Sequence, residues 1–391
     1  MNCKTVLLKD LVLGEKGSYG IGAPAVDYDP KKYTYLRITD INDDGSINTN
    51  GLKSVDAEDA YKYVLQENDI VFARTGASTG KTYFYQPQDG TLVYAGFLIK
   101  FSIDPRKVNP RLLKYITHSQ EYYNWVRSFD TGGTRGNINA VTFANMPITL
   151  PNRATQDKIV AILSSLDDKI ELNRRINTNL EQQAQALYKS WFVDFEPFGG
   201  KMPEDWKEGT LGEICTELKE KVHERDDVKV LSPVATGQLM LSEEFFTKQV
   251  YSKSIAKYIV VPQNCFAYNP ARVNIGSLGM NEFDFDGCVS PVYVVFRCQN
   301  GYEYFFDLFR RTKPFKDEVK LRAIGGVRQT LGYDDFARIQ VNIPTYNVVQ
   351  DFNKIYLTNL DVRWHNQYEI LRLAHLRDTL LPKLMSGEIK V

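Results

Sequence analysis

The run Gly76-Ala77-Ser78-Thr79-Gly80-Lys81-Thr82 has the residue types of a phosphate-binding loop: glycines, hydroxyls and one lysine. A nucleotide-binding P-loop needs four residues between its glycines and a helix after them; here three intervene, and Tyr83-Phe84-Tyr85-Gln86-Pro87 reads as a strand and turn. The spacing fits a Gly/Ser/Thr loop between strands, from which Arg74 and Lys81 can reach a phosphate backbone. A solvated hairpin is the plainer reading of the same residues.

Asn269-Pro270-Ala271-Arg272 is similar to the Asn-Pro-Pro-aromatic tetrad of adenine methyltransferases, but the second proline and the aromatic are missing. No glycine-rich strand-to-helix turn precedes it, so it is not a catalytic site. A Gly-Gly-x-Arg element occurs twice, at Gly132–Arg135 and Gly325–Arg328. Paired glycines permit positive φ or close backbone approach, and arginine offers a fork of donors. Asn137 and Asn139 follow one copy, and Gln329 and Thr330 the other, side chains suited to base edges. A structural turn with the arginine paired to a carboxylate stands as the alternative. The four histidines and five cysteines show no metal-ligand spacing and no CxxC pair.

Long helices must position these segments. Residues 154–193 contain no Gly or Pro, and Ile159, Leu166, Asn173, Leu180 and Leu187 fall on one heptad position. Leu163, Ile170, Asn177, Ala184 and Trp191 fall on the other, a 3.5-residue seam interrupted by asparagine. Unbroken, it makes a rod of roughly 60 Å that needs a partner. The C-terminus supplies one, with an expected seam of Leu357, Leu360, Trp364, Gln367, Leu371, Ala374, Asp378, Leu381 and Met385.

The halves repeat. Asn68 and Gly80 align with Asn264 and Gly276 at an offset of 196 residues, and Gly132–Arg135 with Gly325–Arg328 at 193. Pro151 matches Pro344, and Gln156-Asp157 matches Gln350-Asp351. Short strands are expected at 33–38, 69–73, 82–85 and 91–101, and one aromatic-rich helix from Pro110 to about Arg127. The expected division is a domain over 1–152, a helix over 153–194, a second domain over 195–345 and a helix over 346–391. The fold class is α+β: two similar mixed β-rich domains joined by two long helices in an antiparallel coiled coil, an internal pseudo-twofold repeat.

The 391 residues, 43% apolar and 25% charged, suit two domains with their own cores. No apolar run reaches about 18 residues, the start lacks a signal-peptide core, and an odd cysteine count disfavours disulfides. The expected setting is the cytoplasm, with no membrane. Net charge is zero, yet windows 100–136 and 305–330 each hold seven Lys/Arg against three acids, suiting an anion met at two places.

Taken together, the chain resembles the specificity subunit of type I restriction–modification systems. The residues carrying the resemblance are the two Gly-Gly-x-Arg elements and the Gln-Asp entry into each long helix. Phe195–Phe198 with Pro203, Trp206 and Leu211-Gly212-Glu213-Ile214 adds to it, as does Leu380-Leu381-Pro382-Lys383-Leu384-Met385-Ser386-Gly387-Glu388-Ile389. The resemblance implies two target recognition domains, each reading one half of a bipartite double-stranded DNA site across a spacer fixed by the paired helices. It further implies two modification subunits that supply S-adenosylmethionine and methylate adenine, and restriction subunits that use ATP and Mg. This chain would be non-catalytic, with no cofactor or metal of its own.

The candidate DNA-binding residues of the first domain are Arg74, Ser78, Thr79, Lys81, Gly133, Thr134, Arg135, Asn137 and Asn139. Those of the second are Asn269, Arg272, Asn274, Lys320, Arg322, Gly326, Arg328, Gln329 and Thr330. A non-enzymatic coiled-coil scaffold for protein partners is the rival; salt-dependent duplex binding separates the two.

Overall fold

The computed structural model describes all residues except 1, 2, 50, 130–135, 246–251, 253 and 324–329. The chain divides into two compact units, unit 1 being Met1–Asn173 with Tyr368–Val391 and unit 2 being Arg174–Gln367. In chain order the first elements are β1 (Lys4–Leu7), β2 (Ser18–Tyr19), β3 (Ala25–Asp27), β4 (Tyr33–Leu36), β5 (Lys53–Val55), β6 (Asp69–Ala73) and β7 (Thr82–Phe84). Next are β8 (Leu92–Tyr94), β9 (Leu98–Ser102), α1 (Pro110–Ile116), α2 (Gln120–Arg127), α3 (Ala140–Ala144), β10 (Pro147–Leu150) and the long α4 (Arg153–Phe192). The second series is β11 (Lys207–Thr210), β12 (Cys215–Leu218), β13 (Lys229–Pro233), β14 (Leu239–Leu241), α5 (Ser242–Phe245), β15 (Ile259–Val261), β16 (Phe266–Tyr268) and β17 (Leu278–Met280). It closes with β18 (Gly287–Val289), β19 (Val294–Cys298), α6 (Glu303–Phe309), α7 (Lys313–Arg322), α8 (Tyr333–Ala337), β20 (Gln340–Ile343) and the long α9 (Tyr346–Ser386).

The two units share a topology. Unit 1 has the sheet β2-β9-β6-β7 and unit 2 the sheet β12-β19-β16-β17. Each has a second sheet built on one parallel pair, β4 with β8 and β13 with β18, and a small ribbon, β1 with β10 and β11 with β20. They differ at an edge: β3 joins β5 in unit 1, whereas β15 joins β18 in unit 2.

The central strand β6 is buried throughout and uses the period-2 pleat to serve two cores. Ile70 and Phe72 enter the cluster shared with the helices, while Val71 and Ala73 enter the cluster with Leu36, Leu65 and Leu92. In unit 2 the equivalent strand sends Phe266 and Tyr268 one way and Ala267 the other.

The aligned Asn and Gly residues have a backbone reason. Asn68 and Asn264 have φ of 68° and 61°, a left-handed conformation that asparagine tolerates better than most residues. Gly80 (φ 87°) and Gly276 (φ 95°) close the same loop in each unit. A Cβ at Gly80 would lie 2.6 Å from Val126, and one at Gly276 2.5 Å from the Ala235 carbonyl oxygen. Both constraints demand glycine.

Within each unit α4 and α9 pack antiparallel. In unit 1, Ile159, Val160 and Leu163 share a core with Leu381 and Leu384, while Lys169 and Asn173 meet Glu369. In unit 2, Ala184, Tyr188 and Phe192 share a core with Val349, Phe352, Tyr356 and Leu360. The expected seam of α4 holds, since all ten positions are buried or half-buried.

The expected seam of α9 is one residue out of phase over its middle. Trp364 and Leu371 are 45% and 61% exposed, and Gln367 and Asp378 also face solvent. The inward positions are Arg363, Asn366, Ile370, Leu373 and Arg377. Polar partners decide the phase: Arg363 meets Glu181 at 2.8 Å, Asn366 meets Asn177 at 2.9 Å, and Arg377 meets Asp167 at 2.9 Å. Three polar residues are stabilised by matched groups on α4, and the larger apolar neighbours turn outward.

The single helix expected from Pro110 to Arg127 is two. Thr117 turns its hydroxyl back to the Leu113 carbonyl, and Ser119 caps the second helix by accepting the Tyr122 N–H at 3.2 Å. The run expected at 91–101 is likewise two strands, divided by a turn at Gly96-Phe97.

Candidate nucleic-acid interface

The Gly76–Lys81 segment is a hairpin connection. A single 3-10 turn, Gly76–Ser78, links β6 to β7, so a strand follows it. The Ala73 N–H donates to the Lys81 carbonyl and the Gly80 N–H to the Ala73 carbonyl, closing the loop. Tyr122 fixes it from below, its phenol donating to the Gly80 carbonyl at 2.6 Å.

The second candidate segment of unit 1 lies alongside. The Ile138 N–H donates to the Arg74 carbonyl at 2.9 Å, and Thr75 and Asn137 form an antiparallel bridge. Residues more than 60 positions apart thereby share one edge, because Ile138 is buried and anchors its segment while Asn137 and Asn139 are exposed.

Arg74 is half-buried, with its guanidinium 4.9 Å above the Tyr19 ring and Nε and Nη2 each 3.4 Å from Asn137 Oδ1. Stacking holds the fork in place, and such long hydrogen bonds leave it able to take a better acceptor. Thr79 is committed to the loop: its hydroxyl lies 2.8 Å from the Gly76 carbonyl and 3.0 Å from that of Gly136. Asn139 caps α3, accepting the Thr142 N–H at 2.9 Å. Lys81 is paired with Asp43 at 2.7 Å, and Ser78 is half-exposed on the turn. Gly133, Thr134 and Arg135 lie outside the described residues.

Unit 2 builds the same junction from other residues. The Leu331 N–H donates to the Pro270 carbonyl at 3.1 Å, the counterpart of Ile138 and Arg74. This brings exposed Thr330 beside Asn269-Pro270. Asn269 shapes the turn, its Oδ1 accepting the Ala271 N–H at 3.0 Å and its carbonyl the Arg272 N–H at 2.9 Å. Arg272 and Asn274 are exposed on that turn, and α7 packs against its 3-10 segment, Val273–Ile275. Lys320 on α7 is exposed; Arg322 is tied to Glu318 at 2.8 Å. Gly326, Arg328 and Gln329 lie outside the described residues.

The basic windows are less free than their composition implies. In the first, Lys100 pairs with Asp69, Arg106 with Asp104 and Lys114 with Asp167. In the second, Arg310 and Arg311 share Asp307, Lys313 pairs with Asp317 and Arg322 with Glu318. The Arg106 guanidinium holds the Asp104 carboxyl down at about 2. Much of the local positive excess therefore serves the fold, leaving Arg111, Arg127, Lys316 and Lys320 among the exposed cations of these windows.

Two residues at this edge escaped the sequence reading. Tyr19 supports Arg74 and takes the Ala140 N–H on its hydroxyl at 3.2 Å. Phe97 accepts the Arg74 N–H on its carbonyl at 3.1 Å with its ring in solvent. The only hint was Tyr19's glycine-rich setting, Gly17-Ser18-Tyr19-Gly20-Ile21-Gly22.

Residues 2–182 match the family model of the type I restriction modification DNA specificity domain. The chain is 24% identical to the type I restriction enzyme HindI specificity subunit of Haemophilus influenzae over 410 aligned positions, covering 84% of this chain and 88% of that protein. It is 25% identical to the type I restriction enzyme MjaIX specificity subunit of Methanocaldococcus jannaschii over 307 positions, covering 71% and 69%. Among solved structures, the type I restriction-modification S subunit from M. genitalium has a like fold, with a TM-score of 0.55 at 15% identity over 98% of this chain and 96% of that one.

Proposed function

The chain belongs to the family of type I restriction–modification DNA specificity subunits, and from that premise we propose that each unit reads one half of a bipartite duplex site. The observation that carries this reading is the junction at Arg74 and Ile138, repeated at Pro270 and Leu331, which gathers polar side chains from distant segments onto one edge of each unit. An arginine fork matches guanine O6 and N7, and a carboxamide matches adenine N6 and N7. Arg74 and Asn137 stand side by side in unit 1, and Asn269, Arg272 and Asn274 share one turn in unit 2. Exposed lysines such as Lys320 supply phosphate contacts that orient the duplex without choosing sequence.

In this reading the chain performs no bond chemistry. Two modification subunits beside it in the cytoplasm hold S-adenosylmethionine and methylate adenine. Restriction subunits use ATP and Mg to cleave. The relatives support a specificity role over a scaffold for protein partners.

The test is to express the chain with its partner subunits and map N6-methyladenine across the genome by long-read sequencing. The wild type should mark one split motif, and Arg74→Ala should blur one half while leaving the other intact. An undivided motif, or equal blurring of both halves, overturns the proposal.

A further inference from the structure

Phe97 is 60% exposed, and nothing among the described residues of its own unit explains it. Its flanks are fixed: Leu98 and Ala95 are buried, the Leu98 N–H donates to the Ala95 carbonyl at 2.8 Å, and the Phe97 carbonyl takes the Arg74 N–H at 3.1 Å. The ring thus stands on backbone that is hydrogen-bonded to Arg74. Among the described residues it joins none of the apolar clusters of unit 1.

Unit 2 repeats the feature with a different side chain. Its turn before β19 is closed by the Tyr293 N–H donating to the Ser290 carbonyl at 3.0 Å. Val292 holds the same place in that turn and is 70% exposed. Two units with diverged surfaces each leave an apolar side chain in water at one turn position, and in unit 1 that turn adjoins the junction that gathers the polar readers. A lone exposed apolar residue is ordinary, but recurrence at this place calls for an occupant.

The neighbours define the occupant's chemistry. A guanidinium fork and a carboxamide beside a flat apolar ring suit a nucleobase, which offers a polar edge and a π-face together. Resting on the reading above, we propose that Phe97 enters the base stack of its half-site as an apolar wedge, opening one base step next to the position read by Arg74. Val292, smaller and not aromatic, opens the other half-site less.

The test uses the full chain assembled with its modification subunits and duplexes bearing 2-aminopurine at each successive position of the mapped site. The wild type should brighten a position in one half-site. Phe97→Ala should lose that brightening and weaken binding on the order of tenfold, while Phe97→Trp keeps both. Thermal melting should be unchanged, because the ring packs against no core. The same brightening pattern in wild type and Phe97→Ala overturns the wedge, as does binding with no brightening at all. A complex that binds no duplex overturns the half-site reading and the wedge with it, so the two failures are distinguishable.

Discussion

Asn366 Nδ2 donates to Asn177 Oδ1 at 2.9 Å across the helix pair of unit 2, and Asn177 Nδ2 donates onward to the Arg363 carbonyl at 3.2 Å. Each amide is matched, so the pair favours one register of α4 against α9. Asn177→Ala strands the Asn366 amide and should cost about 1–3 kcal/mol, whereas Asn177→Leu with Asn366→Leu should be close to neutral. Urea midpoints of the single and double variants check this. A double variant as unstable as the single would show that the amides contribute more than mutual satisfaction.

Unit 1 carries an ionic contact across its part of the helix pair. Burial pushes the Asp167 carboxyl up, but Lys114 at 2.6 Å and Arg377 at 2.9 Å outweigh it and hold the group below its ordinary range. A depressed carboxylate contributes stability above its unfolded value near about 4, lost as pH falls through the lower folded value. Asp167→Asn should therefore cost about 3 kcal/mol at neutral pH, with two cations left poorly matched. The gap in melting temperature from wild type should shrink between pH 7 and pH 3. A gap of constant size would rule out the ionic account.

The core of unit 2 depends on an aromatic cluster at the end of α4. The Phe192 ring centroid lies 4.8 Å from that of Phe352 and 4.9 Å from that of Phe305. Phe352→Ala should cost about 3–5 kcal/mol by leaving a cavity in close-packed surroundings. Denaturant titration measures it, and a loss below about 1 kcal/mol would mean that the cluster can collapse around the gap.

Arg74 and Lys320 should behave differently as DNA contacts. Removing a base-reading arginine costs about 1–3 kcal/mol on the cognate site and relaxes sequence choice. Lys320→Ala should weaken cognate and unrelated duplexes alike and lower the salt slope by about 1. Binding isotherms at several salt concentrations decide this; sequence-dependent loss for Lys320→Ala would make it a reader as well.

The doubled architecture was legible because its markers are backbone constraints. Asn68 with Gly80 and Asn264 with Gly276 hold conformations that few residues can adopt, so they mark equivalent loops even where surfaces have diverged. The α4 seam was legible because its apolar residues agree with its burial. The α9 phase was not, since Trp364 and Leu371 look like core residues until Arg363, Asn366 and Arg377 are matched to groups about 180 positions away or more. The break after Ile116 is a capping choice by Ser119 inside a good helical pattern. Tyr19 and Phe97 were invisible for a related reason: only tertiary pairing carries β2 and the β8–β9 turn to Arg74.

Unit 1 is closed by Tyr368–Val391, whose Leu381 and Leu384 sit in its core, whereas unit 2 runs uninterrupted from Arg174 to Gln367. A ribosome therefore releases every residue of the later unit before it delivers the piece that completes the earlier one. Domains commonly mature in the order they are made. Here the earlier unit must wait for Tyr368–Val391 until every residue of the later one has been made.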